Sequence, residues 1–188
     1  MKILKSGYQI RAARIEELPL LARIEQLAAR LFLDTPYAWL ATADSLPLEF
    51  VQQQFQAGLV WVAVDLDEKV VGSAIACEVD RTLYLQQIDV LPAHGRSGIG
   101  SALVNAICER ATHQGYLLVS LSTFRDIPWN APFYSTLGFS SIEEAELTPG
   151  FQQIRLKELA AGLPIADRII MYRKLQPETL IIDRVSDF

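Results

Sequence analysis

The chain holds only two cysteines and two histidines in 188 residues. Cys77 and Cys108 stand far apart and form no metal-ligand spacing, so neither a disulfide framework nor a zinc site can be built on them. Two buried thiols in a reducing compartment are the simplest expectation. Long apolar runs are missing: the longest, residues 59–64, is far too short to span a bilayer. The first seven residues lack the apolar stretch of a signal peptide. An excess of basic residues is also missing. The net charge of −5 argues against a general nucleic-acid role, which needs a basic face. No Gly-Lys-Ser/Thr follows a glycine loop, which argues against a nucleoside triphosphate P-loop. A cytoplasmic protein without metal, membrane or nucleic-acid partner is expected.

What remains is ordinary for a globular fold, with 51% hydrophobic and 21% charged residues. The length suits one domain, placed at residues 8–176 between an N-terminal segment, 1–7, and a C-terminal tail, 177–188. Apolar spacing predicts a strand at 8–14 and a helix at 15–33. A second helix is predicted before Gly58, capped by Ser45 with Pro47 in its first turn. Residues 59–66 and 70–79 read as a hairpin, and 82–90 as a third strand in series. A helix ending at Gly115, a strand at 116–124, helices near Pro132 and over 148–162, and a last strand at 168–175 complete the order. Three strands in meander imply antiparallel pairing, and the strand–helix–strand unit implies a parallel centre. The predicted fold is α/β: a mixed, centrally parallel and N-terminally antiparallel twisted sheet flanked by helices. The apolar island Leu180-Ile181-Ile182 in the tail is suited either to a second copy of the chain, as a homodimer, or to its own core.

Two segments carry chemistry. In the first, the strand Ile88-Asp89-Val90 stops at Leu91-Pro92, turns through Ala93-His94-Gly95, and enters Arg96-Ser97-Gly98-Ile99-Gly100-Ser101. A helix opened by glycines aims backbone N–H groups beyond the strand, a ready anion site. The dinucleotide fingerprint is incomplete, because Leu103 stands where its third glycine would be. The second segment is Asn130-Ala131-Pro132-Phe133-Tyr134, closed by Leu137-Gly138-Phe139.

On these two segments, one helix and one strand apart, the chain resembles the GNAT superfamily of acyl-CoA N-acyltransferases over nearly its whole length. The resemblance implies that acetyl-CoA is the cosubstrate. The backbone of Ile88, Asp89 and Val90 would pair with the pantetheine arm as an added strand does. The amides of Arg96, Ser97, Gly98, Ile99, Gly100 and Ser101 would cradle the pyrophosphate, with Asn130 also on the cofactor side. Family members usually carry glutamine or arginine three residues before the first glycine; here Gly95 stands there and the basic residue is Arg96. Tyr134 matches the general acid of many members, with Phe133 and Leu137 expected to face the core beside it.

The base is not legible. Some branches place a glutamate twelve residues before the tyrosine, where this chain has Ser122. Others use a carboxylate on the cofactor strand, where Gln86 and Gln87 stand. Asp89, Asp126, Glu78 and His94 remain candidates, each with an ordinary structural alternative. Arg125 and Trp129, in the loop after the central strand, are candidates for the acceptor wall, with Tyr37 and Trp39 on the facing side. The implied activity is acetyl transfer from acetyl-CoA directly to an amine of a small molecule or peptide. The alternative is a non-catalytic acyl-CoA sensor.

Overall fold

The computed structural model describes residues 2–3 and 7–176, so the island at Leu180-Ile181-Ile182 lies outside the described residues. Five helices alternate with eight strands: β1 (Lys2–Ile3), β2 (Gln9–Ala12), α1 (Leu18–Ala28), α2 (Leu48–Gln56), β3 (Val60–Val64), β4 (Val70–Val79), β5 (Thr82–Val90), α3 (Ile99–His113), β6 (Leu118–Phe124), α4 (Ala131–Thr136), β7 (Ser140–Ser141), α5 (Pro149–Ala160) and β8 (Arg168–Lys174). They form one sheet in the order β1-β2-β3-β4-β5-β6-β8-β7. β5 and β6 pair in parallel, and the other neighbours are antiparallel. The mixed sheet is therefore as the sequence predicts. It begins inside the N-terminal segment, because Lys2–Ile3 pairs with β2. It also gains an edge, β7, too short to read from hydrophobic alternation.

β3 shows how the sheet divides two cores. Its five residues are all buried. Trp61 and Ala63 join the core under α3, while Val60, Val62 and Val64 join the one under α1 and α2. Each fully buried valine contributes about 1.5–3 kcal/mol, so this strand anchors both layers. α5 covers the rest of the second face through Phe151 and Ile154, against Tyr84 and Ile170. Thus α3 and α4 occupy one face, and α1, α2 and α5 share the other.

Ser45 does not cap α2. Its hydroxyl donates to the Ala22 carbonyl at 3.3 Å, and the helix starts at Leu48 behind Pro47. Proline fixes the entry angle locally, which frees Ser45 to tie the preceding loop to α1.

The decisive irregularity is in β5. Ile75 pairs with Gln87 but Ala76 pairs with Leu85, leaving Gln86 as an extra residue. This bulge switches the alternation: Leu83 and Leu85, then Ile88 and Val90, all face the α3 core. A bulge also bends the strand. β5 meets β6 only through Leu83, Tyr84 and Leu85. Beyond them β6 stays with β8 as far as Phe124, whereas the edge of β5 from Gln86 to Val90 has no strand beside it on that flank among the described residues.

Candidate active site

The parting of β5 from β6 opens a cleft of about 740 Å³. Gln86, Gln87 and Ile88 line it from β5, and Ser122, Thr123 and Phe124 from β6. One wall is α1 with the turns that follow it, including Glu25, Phe32 and Asp44; the other is α5, with Lys157 and Glu158. Tyr134, Asn130 and Trp129 reach the same space.

Ala131 and Tyr134 are the buried residues of α4, at 5% and 7% exposure, and Phe133 and Leu137 pack partly buried against the same core. Phe133 and Leu137 thus face the core as expected, and Tyr134 joins that core instead of keeping to a neighbouring face. α4 has six residues, and from it Tyr134 lines the cleft between β5 and β6. The Tyr134 ring packs edge-on to Phe133 and Phe139. Burial, reinforced by the charge of Asp89, pushes its hydroxyl well above the ordinary tyrosine value. The hydroxyl has no hydrogen-bond partner among the described residues, yet it is not among the fully buried unpaired atoms, so it faces the cleft.

Asn130 precedes α4, and its side-chain carbonyl accepts from the Thr123 hydroxyl at 2.7 Å and the Phe124 amide at 3.4 Å. It thereby fastens α4 to the end of β6. Beyond the C-terminal end of β5, Gly98 caps α3 with φ +81°, a conformation that disfavours any side chain. A Cβ on Gly100 would touch the Phe133 ring at an ordinary 3.5 Å, so its conformational demand is milder. Ile99, Gly100 and Ser101 form the first turn, whose amides have no partner within the helix. Arg96 is also left-handed, at φ 58°, and exposed. Ser97 closes the turn by donating to the Gly95 carbonyl at 3.4 Å.

The base candidates separate clearly. His94 binds the Tyr8 hydroxyl at 2.9 Å through Nδ1 and so ties the turn to the sheet. Glu78 accepts from the Tyr116 hydroxyl at 2.8 Å. Asp126 is exposed, next to the loop residue Arg125. The Asp89 carboxylate lies under α1 and α2, in a cavity of about 170 Å³ that it shares with Glu25. The bulge at Gln86 put it there.

Burial first, then the nearby Glu25 charge, raise Asp89 to about 8, against the opposing pull of the Gln87 amide at 3.1 Å. A raised folded value means that the folded state holds this proton longer than the unfolded chain does. Stability is therefore lost as pH rises from about 4 to about 8. Asp89→Asn is expected to match the wild type in urea midpoint near pH 4 and to exceed it increasingly towards pH 9. Parallel urea titrations at three pH values check this; a constant difference would mean the carboxylate is solvated.

Trp129 is 39% exposed and packs edge-on to Phe32. Phe32 also meets Phe124, on which Tyr37 stacks at 4.1 Å. Arg125 is exposed and does not line the cleft; its backbone amide donates to the Asp167 carbonyl. The cleft's arginine is instead Arg168, which sequence reasoning missed. Register sets Arg168 opposite Phe124, and its guanidinium lies 4.6 Å from that ring's centre. Arg168 donates to Glu158 Oε1 from Nε at 3.1 Å and from Nη2 at 2.5 Å. Glu158 also accepts from the Ser122 hydroxyl at 2.6 Å. A carboxylate thus reaches the Ser122 position after all, from a helix far along the chain.

A profile of the acetyltransferase (GNAT) family matches residues 22–139, more than half of the chain. The chain belongs to this family. Solved structures agree in fold. A GNAT-family acetyltransferase from Staphylococcus aureus superposes with a TM-score of 0.70 at 18% identity, over 90% of this chain and 99% of that one. The ribosomal-protein-S18-alanine N-acetyltransferase of Escherichia coli gives 0.62 at 19%, over 92% and 98%. The PaiA N-acetyltransferase of Thermoplasma acidophilum, solved in complex with coenzyme A, gives 0.62 at 18%, over 89% and 98%. Identities this low speak for the GNAT fold alone. No helix among the described residues is long and apolar enough to cross a membrane, and no group of three or more histidine, cysteine or acidic side chains there could hold a metal ion.

Proposed function

We propose that the protein is an N-acetyltransferase that moves the acetyl group of acetyl-CoA directly to an amine. The observation that carries this is the junction at β5: an unpaired strand edge, a left-handed Gly98 opening α3, and the Tyr134 hydroxyl facing the cleft beside them. A flexible chain of amides suits the strand edge as an added strand would. Phosphates suit the first turn of α3, each contact contributing about 0.3–1 kcal/mol. The acceptor amine enters from the α1–α5 side as the free base and attacks the thioester carbonyl. Tyr134, protonated at working pH, donates a hydrogen bond to the departing sulfur, coenzyme A leaves as the thiolate, and the amine's proton passes to water in the cleft. Cys77 lines the cleft, but burial pushes its thiol up to about 11, which disfavours a covalent acyl-enzyme on it.

Calorimetry with acetyl-CoA, ATP and NAD tests the ligand, and thiol release over a panel of amines tests the reaction. Selective acetyl-CoA binding with turnover supports the proposal. Binding without turnover on any acceptor identifies an acyl-CoA sensor, and no acetyl-CoA binding ends both readings. Gly98→Ala is expected to cost about 1–2 kcal/mol of backbone strain and to weaken acetyl-CoA in the same calorimeter, because relieving that strain turns the amides away. Unchanged affinity would remove the loop from the site.

A further inference from the structure

One wall of the cleft is backed by a charge cluster that acetyl transfer does not use. Arg155, Glu158 and Arg168 have side chains only 10%, 9% and 12% exposed. Glu158 Oε2 takes Arg155 Nη1 at 3.4 Å, while Oε1 takes Arg168 and Ser122. Arg155 also reaches the Arg168 carbonyl at 3.0 Å and Glu144, but Glu144 is 70% exposed and screened by water. Two buried guanidiniums therefore share one buried carboxylate. Such a surplus cation is costly unless something else meets it.

Arg168 is the member able to meet a ligand. Nε and Nη2 are committed to Glu158 and Ser122, and Phe124 supports the guanidinium from one side. Nη1 has no hydrogen bond among the described residues and is not one of the fully buried unpaired atoms, so its donors face the cleft that Arg168 lines. The group is fixed before any ligand arrives, and little rotamer freedom remains to be lost on binding. Arg168 and Tyr134 line the same cleft. The facing wall has the opposite sign, from Glu25 and Asp44. A cleft with a held cation on one wall and carboxylates on the other suits a molecule carrying both an anion and an amine.

We propose that Arg168 binds a carboxylate of the acceptor, so that the acceptors are amino acids or the carboxyl-bearing ends of short peptides, and not polycationic amines. The amine half of this inference rests on the acetyl-transfer reading; the carboxylate half does not. The overall charge of −5 points the other way, toward cationic amines. A fixed guanidinium at the reaction cleft outweighs that screened, distant field.

The test compares matched ligands on the full chain. L-amino acids of acidic, basic, aliphatic and aromatic type, and dipeptides of the same residues, are set against their C-terminal amides and against spermidine. Thiol release from acetyl-CoA is followed, and the same pairs are titrated calorimetrically into protein with coenzyme A. The carboxylate forms are expected to exceed their amides by about 10- to 100-fold in kcat/KM, mostly through KM, the range for a hydrogen bond to a charged group. Arg168→Gln is expected to collapse that ratio, and Arg168→Lys to retain part of it. Amino acid against dipeptide distinguishes the two carboxylate sources. Equal use of acid and amide by the wild type, or preference for spermidine, overturns the proposal without any variant having to fold. If nothing is acetylated, the transfer reading fails; carboxylate-dependent binding in the calorimeter would still sustain the Arg168 site, and its absence would overturn it.

Discussion

Tyr134→Phe is expected to lower kcat by about 10²-fold or more, within the range for lost general acid catalysis, with little change in KM for acetyl-CoA. The substitution removes one oxygen and leaves the ring packed against Phe133 and Phe139, so folding is not at stake. The same burial that raises the hydroxyl above its ordinary value keeps it protonated. Only the protonated form can donate, so deprotonation of this group should produce no alkaline fall in kcat below about pH 10. The departing thiolate, with a reference value of about 8.5, is a weaker base than tyrosinate. Full transfer from tyrosine is therefore uphill, and the hydroxyl works by a hydrogen bond that strengthens as charge builds on sulfur. Steady-state kinetics at saturating acetyl-CoA, repeated across pH, measures both effects. An unchanged kcat would remove Tyr134 from the reaction.

Glu158→Ala is expected to destabilise the fold by about 3–5 kcal/mol, the cost of stranding buried charge. The lost carboxylate is the shared counter-ion of Arg155 and Arg168, and it also accepts from Ser122. Urea denaturation gives the difference directly. Glu158→Gln, which keeps the volume but not the charge, should fall between. Adding Arg168→Met to Glu158→Gln should recover part of the loss, because a hydrophobic isostere removes one unpaired cation. A loss below about 1 kcal/mol, the value of an exposed pair, would mean that water already screens the group and that the surplus charge behind the Arg168 inference is not there.

Local patterns carried much of this protein. The bounds of β5 were legible because alternation ends at Pro92, and α3 because two glycines open it and Gly115 closes it. Pro132 and Gly138 mark the two ends of α4 by first-turn and C-terminal turn chemistry, which acts within a few residues. The same cues failed where a distant partner competed. Ser45 resembles a helix cap, but the Ala22 carbonyl claims its hydroxyl. Arg125 stands in the right loop for an acceptor contact, but its side chain lies outside the cleft lining.

The sequence by itself therefore determined the fold class, the family and the glycine turn that opens α3, because glycine, proline and apolar spacing constrain the backbone over short range. Tertiary structure alone decided which charges meet in the cleft. A single extra residue at Gln86 turned Asp89 from the α3 face of the sheet to the α1–α2 face. Pairing of β6 with β8, and packing of α5 across them, brought Ser122, Glu158 and Arg168 together from positions 36 and 46 residues apart. No local rule records such a meeting, because it depends on register and layer packing across the whole sheet.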